Sequence, residues 1–139
     1  MSLLLDTNVV SELRKAKTGK INPNVKAWAD SVVPTDLFIS VVTLLEIEMG
    51  IGLMERRDLV QATLLRTWFN NNVLPAFEGR ILVVDTTVAL CCGNLHVQDP
   101  QSDRDALLAA TAIVHDMTVV TRNVADFKPT GVQILNPWN

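Results

Sequence analysis

The chain reads as an α/β protein of three layers, α/β/α, around a central, mostly parallel sheet of four or five strands. Short uncharged runs rich in Leu, Val and Ile recur at residues 3–5, 37–41, 81–84, 117–121 and 132–135. The most apolar of them have the composition of strands buried on both faces. Between them lie longer segments with apolar residues at helical spacing. Such alternation builds a parallel sheet with helices on both sides. The 139 residues suffice for one substantial core, and 48% hydrophobic against 19% charged residues fits a folded globular protein. With no repeat, low-complexity tract or linker in view, residues 1–139 are read as a single domain.

The first strand, Leu3-Leu4-Leu5, stops at Asp6, after which Thr7 or Asn8 is placed to cap a helix through Val9, Val10 and Leu13. The basic stretch 14–20 reads as a flexible, solvated loop. Asn22 and Pro23 open a second helix with Val25, Trp28, Ala29 and Val32 inward, and Pro34 ends it. Residues 37–41 form the second strand. Thr43-Leu44-Leu45-Glu46 matches a capping box and opens the next helix, towards Met54. Residues 58–73 give a further helix with Leu59, Leu65, Trp68 and Phe69 inward, followed by a turn at Pro75 and Gly79. The third strand runs to Asp85, where Asp85 or Thr86 caps a helix from Val88 to Leu95. A polar loop, 98–102, ends at Ser102, the N-cap of an alanine-rich helix that carries Asp105 in its first turn. Residues 117–121 are the fourth strand, 122–126 a turn, and 132–135 a last edge strand.

Composition excludes several classes. A net charge of −3 gives no bulk attraction for a polyanion, so a nucleic-acid partner requires a local basic patch or a metal. Cys91 and Cys92 are adjacent, which suits neither a disulfide nor a zinc site; they read as reduced, buried helix residues of a cytosolic protein. His96 and His115 are isolated. Asp6 interrupts any secretory signal, and the apolar stretch 38–45 is too short to cross a bilayer, so a soluble, cytoplasmic protein is expected. Trp28, Trp68 and Phe69 read as core residues, since base stacking would need them exposed along a basic groove.

The acids carry the functional signal. In open α/β sheets, ligands bind beyond the carboxyl ends of the strands. Asp6, Glu46, Asp85, Asp105 and Asp126 all lie at strand ends or in the helical turn after them. Carboxylates gathered at one edge repel each other. A hard divalent cation relieves that repulsion, and such an ion activates water and neutralises charge at a phosphate.

These residues also carry a family resemblance. Leu4-Leu5-Asp6-Thr7-Asn8 with Ser11-Glu12, then Ser40-Val41-Val42-Thr43-Leu44-Leu45-Glu46, are the first matching pieces. Asp105-Ala106-Leu107-Leu108-Ala109-Ala110-Thr111-Ala112, Val119-Val120-Thr121-Arg122-Asn123-Val124-Ala125-Asp126-Phe127 and Asn136-Pro137-Trp138 complete the set. Across nearly its whole length the chain resembles PIN-domain toxins of the VapC type, especially their FitB-like branch. The resemblance implies a PIN-like fold and a ribonuclease dependent on Mg²⁺ or Mn²⁺, the toxin of a type II toxin–antitoxin pair. It implies Asp6, Glu46 and Asp105 as metal-binding acids and a hydroxyl near the reacting groups, here Thr7 or Thr121. Asn123 stands closest to the family's fourth acid, with Asp126 three residues on, so one metal or two stays open. A homodimer and a small DNA-binding antitoxin are also implied, with DNA bound only through that complex.

Beside the acids, Arg14, Lys15 and Lys17 are candidates for RNA-backbone contact, and Arg122 is placed either to meet phosphate or to hold an acid. Asp85 lies outside the family's acids and reads as a helix cap; Asp103 reads as solvated, with Arg104 a surface neighbour. A haloacid-dehalogenase-like phosphatase also begins at an aspartate behind a buried strand, but Asn8 occupies the place of its second aspartate. A catalytically weak PIN-like binding module, its acids kept as caps, is the remaining alternative, favoured only by Asn123.

Overall fold

Leu3, Leu4 and Leu5 are all buried, and they form the central strand of the sheet. The structure, a computed structural model, describes every residue except positions 99 and 101. The strands are β1 (Leu3–Leu5), β2 (Leu37–Ser40), β3 (Ile81–Leu82), β4 (Thr118–Val120) and β5 (Ile134–Leu135). They lie in the order β3-β2-β1-β4-β5, all parallel. Leu4 pairs with Phe38 on one side and with Val119 on the other. A parallel register sends every strand's carboxyl end to one edge.

Alternation along the strands separates two cores. Leu3, Leu5 and Val120 face α1 (Thr7–Leu13), α3 (Val41–Glu55) and the segment beyond α4 (Leu59–Trp68), through Val9, Val10, Ile47, Ile51, Phe69 and Val73. Leu4 and Val119 face the other way, onto Leu108, Ala109 and Ala112 of α7 (Asp103–Val114) and Phe127 of α8 (Val124–Phe127). α6 (Thr86–Gln98) forms an outer layer, with Val88 and Cys92 against Ala106 and Ala110. The alanines of α7 keep no bulk between helix and sheet, so the close approach needed to bury both faces is available. α2 (Pro23–Ser31) begins at the expected cap, Asn22.

Several expectations are corrected by local chemistry. The basic stretch is ordered at its start as a 3₁₀ helix, Arg14–Thr18, which continues α1 and is closed by Gly19 at φ 71°. Buried Glu12 anchors that region by accepting from the backbone of Asn22 and from Lys15, which holds its carboxyl below the usual range. α3 starts two residues before Thr43, with Ser40 as N-cap through its hydroxyl, so Thr43 and Glu46 form no capping box. Leu59 is 68% exposed, because Asp58 caps α4 and turns its first residue outward. After α4 the chain continues as a π-helical turn, Phe69–Val73, and the short α5 (Leu74–Ala76). Cys92 is buried but Cys91 only half so, and both are free. The loop expected over 98–102 includes two positions outside the described residues, and Gln98 itself ends α6.

No helix among the described residues is long and apolar enough to cross a membrane. The tightest part of the second core tests this packing. Phe127 is completely buried, so Phe127→Ala is expected to lower unfolding stability by about 3–5 kcal/mol, measured by urea denaturation.

Candidate active site

Asp6 follows β1 directly, and its backbone N–H continues the sheet by donating to Val120 at 2.9 Å. The side chain then caps α1: Oδ1 accepts from the Thr7 backbone N–H at 2.8 Å. The cap of this helix is therefore Asp6 itself, not Thr7 or Asn8. Its other oxygen, Oδ2, accepts the hydroxyl of Thr121 at 2.8 Å and the amide of Asn8 at 3.3 Å. Thr121 is completely buried just beyond β4, where its own N–H extends the ladder to Leu135. Two neighbouring strand ends thus hold one carboxylate from both sides.

Thr7 joins this group to α3. Its hydroxyl donates to Glu46 Oε1 at 2.7 Å and lies 3.4 Å from the hydroxyl of buried Thr43. Relieved of a capping role, Glu46 points back at the start of α1. Asp105 sits half-buried in the first turn of α7, whose N-cap Ser102 accepts from the Asp105 N–H. The charges of Glu46 and Asp105 both act on Asp6. Burial first, and those two charges in addition, push the Asp6 carboxyl above the usual carboxylate range despite the donors holding it.

Positive charge near these acids is sparse. Arg104 extends across from α7 to place Nη1 3.6 Å from Glu46 Oε2, so it is more than the surface neighbour of Asp103 that its sequence position implies. Asp103 instead lies 3.4 Å from His96. Among the described residues, no three acidic, histidine or cysteine side chains form a ready-made metal cage. The donors are nevertheless hard carboxylate oxygens around a buried, strained charge, the chemistry that suits a hard divalent cation.

The remaining candidates fall into place separately. Asn123 is exposed; its backbone N–H donates to Thr121 Oγ1 at 2.9 Å. Asp126 is exposed in the first turn of α8. Asp85 caps α6, accepting from Val88 at 2.9 Å. Arg122 covers the ring of Trp138 at 5.3 Å. Arg14, Lys15 and Lys17 gather at a cleft beside Trp68, away from the acid cluster's hydrogen bonds. Sequence reasoning missed the bridging role of Asn8, whose amide also reaches Thr121 and whose carbonyl accepts from the Arg122 N–H. The signal was present as an amide two residues after a strand-end acid. Arg104 had none, because its reach depends on how α3 and α7 pack.

Comparison with known proteins follows this geometry. The family model for the PIN domain matches residues 3–130. The chain is 35% identical to VapC ribonuclease Y4jK of Sinorhizobium fredii, covering 98% of this chain and 97% of that protein. It is 32% identical to the toxin FitB of Neisseria gonorrhoeae, over 99% of both. The crystal structure of FitAcB from Neisseria gonorrhoeae superposes with a TM-score of 0.88, at 32% identity over 99% of both chains.

The raised Asp6 carboxyl has a sign that stability measurements read. A group that binds its proton more tightly when folded favours folding at low pH, and that favour is lost as pH rises through the folded value. Ionised Asp6 therefore costs stability at neutral pH. In EDTA, Asp6→Asn is expected to raise Tm at pH 7, with the gain shrinking as pH falls through the raised folded value and gone below the ordinary value of 3.8. An equal or lower Tm for the variant at pH 7 contradicts this electrostatic account.

Proposed function

Because the chain belongs to the PIN-domain family, we propose that it is an endoribonuclease that hydrolyses RNA phosphodiester bonds, the toxin of a toxin–antitoxin pair. The observation that carries this reading is Asp6 at the carboxyl edge of the sheet, buried, doubly held, and under the charge of Glu46 and Asp105.

Asp6, Glu46 and Asp105 would hold Mg²⁺ or Mn²⁺. When bound, such an ion supplies an activated water and neutralises charge at the phosphate. The chain's part is to present oxygens in fixed directions. Thr121 and the Thr7 N–H fix the two oxygens of Asp6, while the Thr7 hydroxyl fixes Glu46. Both hydroxyls thus serve the acids, and this is the role proposed for them. Arg104 answers part of the charge of Glu46. Asn123 brings no charge and Asp126 is exposed, so three acids are proposed to suffice.

The partners proposed are an RNA substrate, a small DNA-binding antitoxin through which DNA is met, and a second copy of the chain. Exposed Leu45, Met49 and Leu53 form one stripe along α3, and Leu59, Val60 and Leu64 add apolar surface on α4, which supports protein contacts there. A catalytically weak PIN-like binding module is the second reading, and Asn123 is the observation in its favour.

Incubating the purified protein with structured and unstructured RNAs separates them. Cleavage with Mg²⁺ or Mn²⁺ is expected, with none in EDTA. Asp6→Asn and Glu46→Gln are each expected to lower it by roughly 100-fold or more, and Thr7→Val by about tenfold through loss of positioning. Calorimetric Mn²⁺ titration of the same variants should weaken in that order. Mn²⁺ binding without any cleavage would favour the binding module.

A further inference from the structure

The acid cluster makes no use of the basic segment after α1. Four of the twelve basic residues in a chain of net charge −3 fall within positions 14–20, with no acid among them. In the fold, Arg14, Lys15, Lys17 and Lys20 line one open cleft of about 800 Å³ together with Trp68 and Asn72. Lys15 shares its charge with Glu12 at 3.1 Å. The Arg14 guanidinium lies 5.8 Å from the centre of the Trp68 ring. Trp68 packs against the core, is only half-buried, and also borders the cleft. It thereby meets the condition that base stacking needs: an aromatic ring partly exposed along a basic groove.

The cleft is joined to the acids through α1. A second hollow of about 320 Å³ shares Arg14, Lys17, Trp68 and Asn72 and is bordered by Val10 and Leu13 of α1. α1 follows Asp6 directly and has seven residues, a rise of about 10 Å. A short length of an extended strand spans that distance.

We infer that this cleft is a track for single-stranded RNA. Arg14, Lys17 and Lys20 neutralise phosphates, and Trp68 receives an unstacked base beside the Arg14 guanidinium. This rests on the ribonuclease reading. A duplex keeps its bases stacked on one another and offers none to the ring. An acidic peptide would use the charges but leave the indole without a flat partner.

The test uses full-length Asp6→Asn protein in EDTA and a short, fluorescein-labelled, single-stranded 2′-O-methyl RNA, read by anisotropy over a range of salt. In that background Trp68→Leu is expected to weaken binding by about tenfold, and Trp68→Phe to keep most of the affinity. Lys17→Ala and Lys20→Ala, which leave the core untouched, should each reduce the salt slope by about 0.7. Circular dichroism checks that the Trp68 variants fold. Unchanged affinity and salt slope in folded variants overturn the inference. So does equal binding of the corresponding duplex, or tighter binding of poly-glutamate, which would assign the cleft to an acidic protein segment. If wild type cuts RNA while these substitutions alter neither binding nor KM, the nuclease reading stands and the track falls. If wild type cuts nothing yet the oligonucleotide binds through Trp68 and the lysines, the track stands as a binding surface alone.

Discussion

A carboxylate taken out of water beside two others of the same sign is unfavourable, and this structure is arranged around tolerating one. Asp6 is 7% exposed at the end of the central strand. Its oxygens are answered by a helix N-terminus and by a hydroxyl fixed in the neighbouring strand end. The hydroxyl of Thr121 is within reach only because β1 and β4 are parallel and in register, so that both strands turn at the same height. Sheet order, helix capping and the electrostatics of the site are in this sense one constraint. The donors orient the charge without cancelling it, and the remaining imbalance is what a cation would relieve.

The supporting residues extend the same logic outward. Thr7 spends its N–H on Asp6 and its hydroxyl on Glu46, so one residue fixes the relation of two acids from different elements. Asn8 ties the turn after β1 to the turn after β4. Glu12, a turn further along, fastens α1 to the start of α2. Thr7, Asn8 and Glu12 thus fasten α1 near both of its ends.

Much of this was legible in the sequence because it depends on local chemistry. Buried strands announce themselves by uncharged runs, and all five lie where those runs fall, although β3 and β5 shrink to two residues each. Acids at strand ends need only the parallel arrangement to be brought to one edge. What failed was whatever depended on packing or on exact phase. Ser40 outcompeted Thr43 as the cap of α3, and that shift freed Glu46. The reach of Arg104 to Glu46 depends on the approach of two helices whose residues lie far apart along the chain. Trp68 looked like core because it is spaced like core; only the neighbouring 3₁₀ segment gives its ring a basic border.

The π-helical turn at Phe69–Val73 sets how Trp68 is turned relative to the residues after it. A turn of this kind holds one residue more than its α-helical equivalent, and such turns concentrate at functional sites. Deleting any one of Asn70, Asn71 or Asn72 would restore regular winding and rotate Trp68 by about 100° relative to Val73 and Phe77. The ring would then swing away from its border, and buried Phe69 would turn with it. A one-residue change in length is thus a switch of surface chemistry here.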